Sequence, residues 1–513
     1  MLTKVGSSDP TLLFCALLIS ILFAILVTNV GETSPILKKS PAIFLTWFLV
    51  HLSFSQGKTE REFSRLVSQE RLQQTVRELV DFGNRQGGTP SGNRAVAYLL
   101  NEFKRMGLNT EVLEDPEKLT FSSNRWTLRA VSPSRLGKTF SHSWLAGFSP
   151  SRERTKARLV KVPTDGELSK IDVDSAAVLV DLDNSVRLYG ELAAKGAVCV
   201  LTWSEPPSKA YEDCAFIQNL EPSETNPIPV FDISRSDARS IEKVLKSKRG
   251  VTIEFSSTTR IRKGRSKSVV ATLAGRSKKY FILCAHGDSD SGGPGADDNA
   301  SGDSGVLEIA RILSSMRHKT TISAPDSSIK FIIWGSEYGS TENFVRTHAD
   351  DLQNIVGVLN FDEIGTGASR NCVYFEGNDQ RINFHMLRIL QKVGEDYVGK
   401  KTFWPEATTN PSQGGTDSYV FLPNYLSRLG VPVVEIPSVT VYTAAWQQSK
   451  SLFQPKEWRT TSWKGPPDSV IIDYSLYYHS SMDVPSKTTD REPFDMVWGV
   501  KAVGIALLRM AWH

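Results

Sequence analysis

Five short blocks of imidazole and carboxylate side chains carry the chemistry this sequence offers. His286-Gly-Asp288 directly follows the apolar run 281–285 (FILCA), and Asp297, Asp298 and Asn299 sit in the glycine-rich stretch 293–305 (GPGADDNASGDSG). Gly335-Ser336-Glu337-Tyr338 follows 331–334 (FIIW), Asp362-Glu363 follows 354–361 (NIVGVLNF), and 477–483 (YYHSSMD) supplies His479 and Asp483. In open α/β sheets, sites form outside the carboxyl ends of the strands. An imidazole and several carboxylates delivered there suit zinc, which takes nitrogen and oxygen ligands at about 2.0–2.2 Å. One carboxylate can bridge two metals about 3.5–4 Å apart, a pair that polarises a carbonyl while activating water. An acid left free of metal would take the proton of that water and return it to a leaving amine. Taken alone, each block is a weak signal, since a lone His-x-Asp after a strand is more often structural, and His318 and His348 fall on polar helical faces as surface residues. The weight lies in five such blocks at successive strand ends.

The elements that must position these blocks follow from periodicity. Residues 59–107 read as two amphipathic helices, 66–82 and about 93–106, with a Gly-Gly-Thr-Pro turn between them. Residues 108–113 alternate like a strand. From about 151 to 256 short strands such as 176–181 (AAVLVD) and 196–203 (GAVCVLTW) flank a helical stretch at 186–195, as expected of a small α/β or β-rich module. This module carries no cluster of acids, bases or ligands. The basic run 260–267 (RIRKGRSK) reads as a solvated linker. Beyond it, strands at 269–273, 280–285, 329–334, 354–361 and 431–436 alternate with helices at 303–315 and 494–510. The expectation is an α/β fold whose mixed, mostly parallel sheet is sandwiched by helices.

Composition narrows the class. The chain has 513 residues, 40% hydrophobic and 23% charged, which is ordinary for globular domains. A formal net charge of +4, without a basic stripe interleaved with aromatics, gives no ground for nucleic acid as a partner. Five cysteines form no CxxC pair; Cys199 and Cys284 read as buried free thiols, and a disulfide involving Cys214 stays open. Residues 12–27 are an uncharged apolar run, and 42–54 (AIFLTWFLVHLSF) follow two lysines like a signal-peptide core. Either the two runs cross the membrane and return, or only the second acts, as an export signal. Both readings place the body outside the cytoplasm, membrane-anchored or secreted.

Through these motifs the sequence resembles the co-catalytic zinc aminopeptidases, a group that includes glutamate carboxypeptidase and glutaminyl cyclase. The resemblance covers about residues 65–511 and is strongest at 285–302 (AHGDSDSGGPGADDNASG), then at 334–344, 360–365, 414–421, 430–432 and 477–483. It implies four segments: 1–58 for membrane or export, 59–140 and 263–513 as two parts of a metallopeptidase domain, and 141–262 as an insert similar to a protease-associated domain. By the resemblance, His286 and Asp362 would hold one zinc, Asp298 would bridge to a second, and His479 would hold that second ion. The Asp298–Asn299 peptide is expected to be cis. Asp288 would orient a histidine ligand, with Asp483 in a similar supporting role.

One departure matters. The family has two adjacent glutamates after its third strand, the first a general base and the second a ligand of the second zinc. Here the pair is Glu337-Tyr338. A single four-residue gap makes Glu337 the base and leaves Tyr338 in the ligand's place; the competing alignment makes Glu337 the ligand and puts Ser336 where the base belongs. In the first alignment the second zinc keeps Asp298 and His479, with Glu342 or a Tyr338 phenolate left to complete it. A phenol must first lose a proton of pKa about 10, so it is a poor ligand. Ser418 also stands where the family often has histidine. The resemblance thus implies a zinc-dependent exopeptidase, foremost an aminopeptidase acting on peptides, with one or two zinc ions and Glu337 as base. The alternatives are a catalytically impaired, receptor- or scaffold-like homologue, motivated by Tyr338, and a one-zinc acyltransferase resembling glutaminyl cyclase.

Overall fold

The computed structural model describes residues 57–513 except 137, 141, 164–167, 206–211, 248–249, 290–292, 367–373, 377–379, 395, 398–415, 444–476, 492 and 513. Residues 1–62 and 63–513 are separate compact units, and of the first only the helical stretch 57–62 is described. Both apolar N-terminal runs lie outside the described residues. Among the described residues, no helix is long and apolar enough to cross a membrane.

Capping sets the first two helices. Helix α1 (Gln69–Asp81) begins where the Ser68 side chain accepts the Arg71 N–H, and buries Leu72, Val76 and Leu79. Helix α2 (Pro90–Arg105) starts earlier than its periodicity indicated, because Thr89 caps it and Pro90 fits the first turn. Then come β1 (Asn109–Glu114), β2 (Lys118–Ser132), β3 (Lys138–Thr139), β4 (Trp144–Leu145), β5 (Arg152–Lys161), β6 (Ala176–Asp181), α3 (Leu182–Ala194), β7 (Cys199–Trp203), β8 (Val230–Asp232), α4 (Arg235–Lys246) and β9 (Val251–Gly264). The remainder is β10 (Lys267–Leu273), β11 (Tyr280–His286), α5 (Gly302–His318), β12 (Ser328–Trp334), α6 (Gly339–Thr347), β13 (Ile355–Phe361), β14 (Tyr374–Glu376), α7 (Gln380–Gly394), α8 (Pro423–Leu429), β15 (Ser438–Tyr442) and α9 (Phe494–Ala511).

One sheet has the order β1-β10-β12-β11-β13-β15-β14. Its central strands β12, β11, β13 and β15 are parallel, and its outer pairings are antiparallel. β11 is buried along its whole length, as a parallel strand covered on both faces must be. On one face Leu283, Phe331 and Leu359 meet Leu72, Phe103, Ile309 and Val503 of α1, α2, α5 and α9. On the other, Ile282, Ile332 and Val358 meet Phe344 of α6 and Leu426 of α8. The second sheet has the order β3-β2-β9-β5-β6-β7-β8-β4 and a core of its own, so its strands come from Lys118 to Gly264.

Two expectations are corrected. The basic run 260–267 is no linker: through Gly264 it continues β9, with Arg260, Arg262 and Gly264 opposite Ser122, Thr120 and Lys118. Ladder hydrogen bonds tolerate charge on an exposed ribbon, so composition concealed the strand. Residues 431–436 form no strand; the nearest is β15, which starts at Ser438. Pro432 inside the segment and Pro437 directly after it have no N–H groups to donate, and Val433 is 57% exposed.

Candidate metal centre

Adjacent parallel strands deliver the first pair of side chains. His286 ends β11, and Asp362 follows Phe361 at the end of neighbouring β13. Between them in sequence, the glycine-rich loop folds back over these ends. Gly295 has φ +57, and a Cβ there would lie 2.5 Å from the Asp298 carbonyl oxygen, so only glycine permits this return. The Asp298–Asn299 peptide is cis. Asp483 holds the turn by accepting the Asp297 and Asp298 N–H groups at 2.9 and 3.1 Å. Asp297 points elsewhere and accepts from Gly365 N at 2.7 Å and Thr366 Oγ1 at 2.6 Å.

The expected ligands converge. His286 Nε2 lies 3.3 Å from Asp298 Oδ1 and 3.5 Å from Asp362 Oδ1, while His479 Nε2 lies 3.0 Å from Asp298 Oδ2. Candidate ligand atoms of His286, Glu337 and Asp362 all lie within 4.8 Å of one another. The two oxygens of Asp298 therefore face two different imidazoles, as a bridging carboxylate requires. Burial opposes ionisation of Asp298, but the bonds to His286 and His479 outweigh it and hold the carboxyl below its ordinary range. Burial likewise works against a charged His286, yet Asp288, Asp298 and Asp362 raise it well above the usual imidazole value. For Glu337, burial is the main cause of a pKa well above the ordinary one; His286 opposes it, and Asp362, Asp417 and Asp298 add to it. A buried nitrogen and oxygen donor set of this kind fits zinc.

The supporting residues divide by neighbour. Asp288 faces His286 Nδ1 at 3.2 Å, whereas Asp483 holds the Asp298 loop and not a histidine ring. Ser336 is tied away from the pocket, accepting from Lys118 Nζ at 2.9 Å. Tyr338, at φ 53, gives its N–H to Asp417 Oδ1 at 2.9 Å, and its ring packs against the cluster of Trp334, Phe344 and Phe421. Burial, then Glu337 and Asp417, push its phenol further up, so it stays neutral. Glu342 accepts from the Tyr425 hydroxyl at 2.6 Å. Ser418 bonds Thr440 at 2.6 Å in the core.

Sequence reasoning missed several groups. Arg85, 1% exposed, donates to the carbonyls of Gly287, Pro294 and Gly295 at 3.2, 2.8 and 2.7 Å, pinning both ends of the ligand loop. Glu363 is buried at φ 51, and its Oε1 has no hydrogen-bond partner; burial, then Asp298, Asp297 and Asp362, raise it well above the carboxylate range. Asp303 is buried with both oxygens unpartnered, and desolvation pushes it up to about 8 against the pull of Arg85. An arginine in a turn and an acid inside a helix give no local signal of such roles. Positive φ at Tyr338, Glu363 and His479 marks the same neighbourhood, as backbone strain at functional sites does.

Residues 268–497 match the model of peptidase family M28. Leucine aminopeptidase 2 of Arthroderma otae is 23% identical over 315 residues, covering 58% of this chain and 59% of that protein. The chain thus spans under two thirds of that relative's length. The M28 peptidase precursor of Shewanella amazonensis superposes with a TM-score of 0.61 at 18% identity, over 90% of this chain and 96% of that one. A zinc aminopeptidase from Bacillus subtilis gives a TM-score of 0.57 at 17% identity, over 87% and 95%. These likenesses establish the same α/β fold.

Proposed function

We propose that the chain is a member of peptidase family M28 and a zinc-dependent aminopeptidase that releases residues from peptide N-termini. One observation carries the reading: Asp298 stands between His286 and His479, with Asp362 and Glu337 beside the first imidazole. His286, Asp362 and Asp298 would hold one zinc; Asp298 and His479 would hold a second, weaker ion. Bound zinc would polarise the scissile carbonyl and lower the pKa of a water molecule. Glu337 would act as the general base toward water and as the proton donor to the leaving amine. Asp288 accepts from His286 Nδ1–H, which fixes the tautomer and aims Nε2 at the pocket. The surplus of carboxylates, Glu363 among them, suits the ammonium group of a free N-terminus.

Relatives named as aminopeptidases favour this over the receptor-like alternative. The insert, expected at 141–262, is read instead as the whole second sheet, because β2 from Lys118 and β9 to Gly264 pair within it, and the N-terminal runs are read as export or anchoring segments that place the body outside the cytoplasm. The test is turnover of an aminoacyl reporter panel by zinc-loaded protein, before and after chelation and with Glu337→Gln. A base leaves zinc content intact while kcat falls; a ligand, the competing role, loses zinc as well. A zinc-loaded protein inert across the panel overturns the proposal.

A further inference from the structure

The second imidazole is not held by the metal-binding half alone. Ile217 N–H donates to the His479 carbonyl at 2.8 Å, and Ser481 N–H donates to the Ala215 carbonyl at 3.0 Å. Between these bonds Phe216 and Ser480 form an antiparallel bridge. The Ser481 hydroxyl adds a bond to the His142 carbonyl at 3.1 Å. Residues 142 and 214–217 belong to the stretch that builds the second sheet, far from His479 in sequence. A strap from that module therefore runs antiparallel along the loop that carries His479.

The strap is stitched down at its other end. Gln218 donates through Nε2 to Asp232 Oδ1 at 2.6 Å and through its N–H to Oδ2 at 3.3 Å. Asp232 ends β8 and is 2% exposed. Gly147 N–H donates to the Gln218 carbonyl at 2.8 Å, and Leu220 N–H to the Gly147 carbonyl at 2.9 Å. His479 itself has φ 46, a conformation a non-glycine residue keeps only where its surroundings over-determine it. Its ring stacks on Tyr478 with centroids 3.5 Å apart, and from there Nε2 reaches Asp298. Without the bonds at His479 and Ser481, the loop would be free to leave positive φ and swing the imidazole off the bridging carboxylate.

We propose that the second-sheet module completes the metal centre: the strap 214–218, anchored on Asp232, positions His479 and thereby sets the affinity of the second zinc. This rests on the aminopeptidase reading for the identity of the metal and goes beyond it in assigning the module a role. Among the described residues, the strap's backbone bonds to the metal-binding half go to His479 and Ser481, so the zinc on His286 and Asp362 should be indifferent to it.

The experiment measures zinc affinity of the full chain by competition with a chromophoric chelator, alongside thermal unfolding. Ile217→Pro deletes the N–H that meets His479, and Gln218→Ala removes the shorter, side-chain bond of the strap to Asp232 and leaves its longer backbone bond; the second carries the test should the first not fold. Expected is a loss of about 10–100-fold in affinity for the weaker zinc, with the tighter one unchanged within about twofold. His479→Ala should abolish the weaker zinc, and adding Ile217→Pro to it should change nothing further. Folded variants with wild-type affinity at both sites overturn the inference, as does an equal loss at both. A wild-type protein with a single zinc that His479→Ala leaves in place also overturns it. Failure of the wild type to take up any zinc overturns the aminopeptidase reading itself.

Discussion

The backbone N–H of Glu337 donates to Asp288 Oδ1 at 3.0 Å, and the same oxygen faces His286 Nδ1 at 3.2 Å. One carboxylate atom thus ties the ring of a metal ligand to the main chain of the base, across the ends of β11 and β12. Base and ligand are set by a common reference point.

Replacing Asp288 should therefore harm both at once. Asp288→Ala frees the His286 ring and the Glu337 backbone together, and removal of such supporting partners costs about 10–100-fold in metal affinity or activity. The expected outcome is weaker binding of the tighter zinc and a lower kcat even at saturating zinc. Full recovery of kcat by added zinc would show that Asp288 serves the ligand alone.

The metal-free protein should be more stable in mild acid than at pH 8. Burial pushes Asp303 and Asp483 up to about 8 and Asp417 to about 7. Between the ordinary carboxylate range and those values the folded chain holds protons that the unfolded chain has lost. Each such proton removes about 1.4 kcal/mol of stability per pH unit as pH rises. His286, raised well above the usual value, acts in the same direction at higher pH. Zinc requires its ligands deprotonated, so its stabilisation grows as pH rises. Thermal unfolding with chelator should give a higher Tm at pH 5 than at pH 8, and zinc should raise Tm more at pH 8. Asp303→Asn should flatten the metal-free dependence; an unchanged slope would relocate its cause.

Arg85 is the residue whose loss should cost the fold most among those around the site. Arg85→Met leaves the carbonyls of Gly287, Pro294 and Gly295 without their donor and Asp303 without its nearby cation. A buried carbonyl left without its donor costs about 1–3 kcal/mol. Urea unfolding of the zinc-free variant should show a loss of that order, with Arg85→Lys intermediate because it keeps the charge but not the three-way fork. A loss under about 1 kcal/mol would mean that water replaces the guanidinium.

The contrast between Arg85 and His286 explains what was legible in the sequence. His286, Asp362 and Glu337 each sit just beyond an apolar strand, so local pattern and the geometry of parallel sheets were enough to bring them together. Arg85 and the strap at 214–218 act through backbone carbonyls and N–H groups of distant segments, and a main-chain partner leaves no mark on residue type. The β9 ribbon escaped for a related reason: its pairing with β2 is a backbone matter, while its side chains advertise only charge. The segment 431–436 misled in the opposite way, since its apolar residues look like a strand until Pro432 within it and Pro437 after it are counted.

Tyr338 brings these strands of reasoning to a test. If it merely replaced a ligand glutamate, Tyr338→Glu would restore the second zinc site. The structure argues otherwise. The ring packs against the apolar cluster that contains Trp334, Phe344 and Phe421, and the phenol sits in the field of Glu337, Asp417 and Asp362. A glutamate in its place would put another carboxylate among three, half out of water, with less apolar surface to fill the gap. We expect Tyr338→Glu to lower stability by about 2–4 kcal/mol without tightening the second zinc. Tyr338→Phe should keep both zinc stoichiometry and activity, because the phenol is held neutral and is no ligand. Zinc titration and denaturant unfolding of the two variants decide it: tighter binding in Tyr338→Glu, or zinc loss in Tyr338→Phe, would place the side chain at the metal after all.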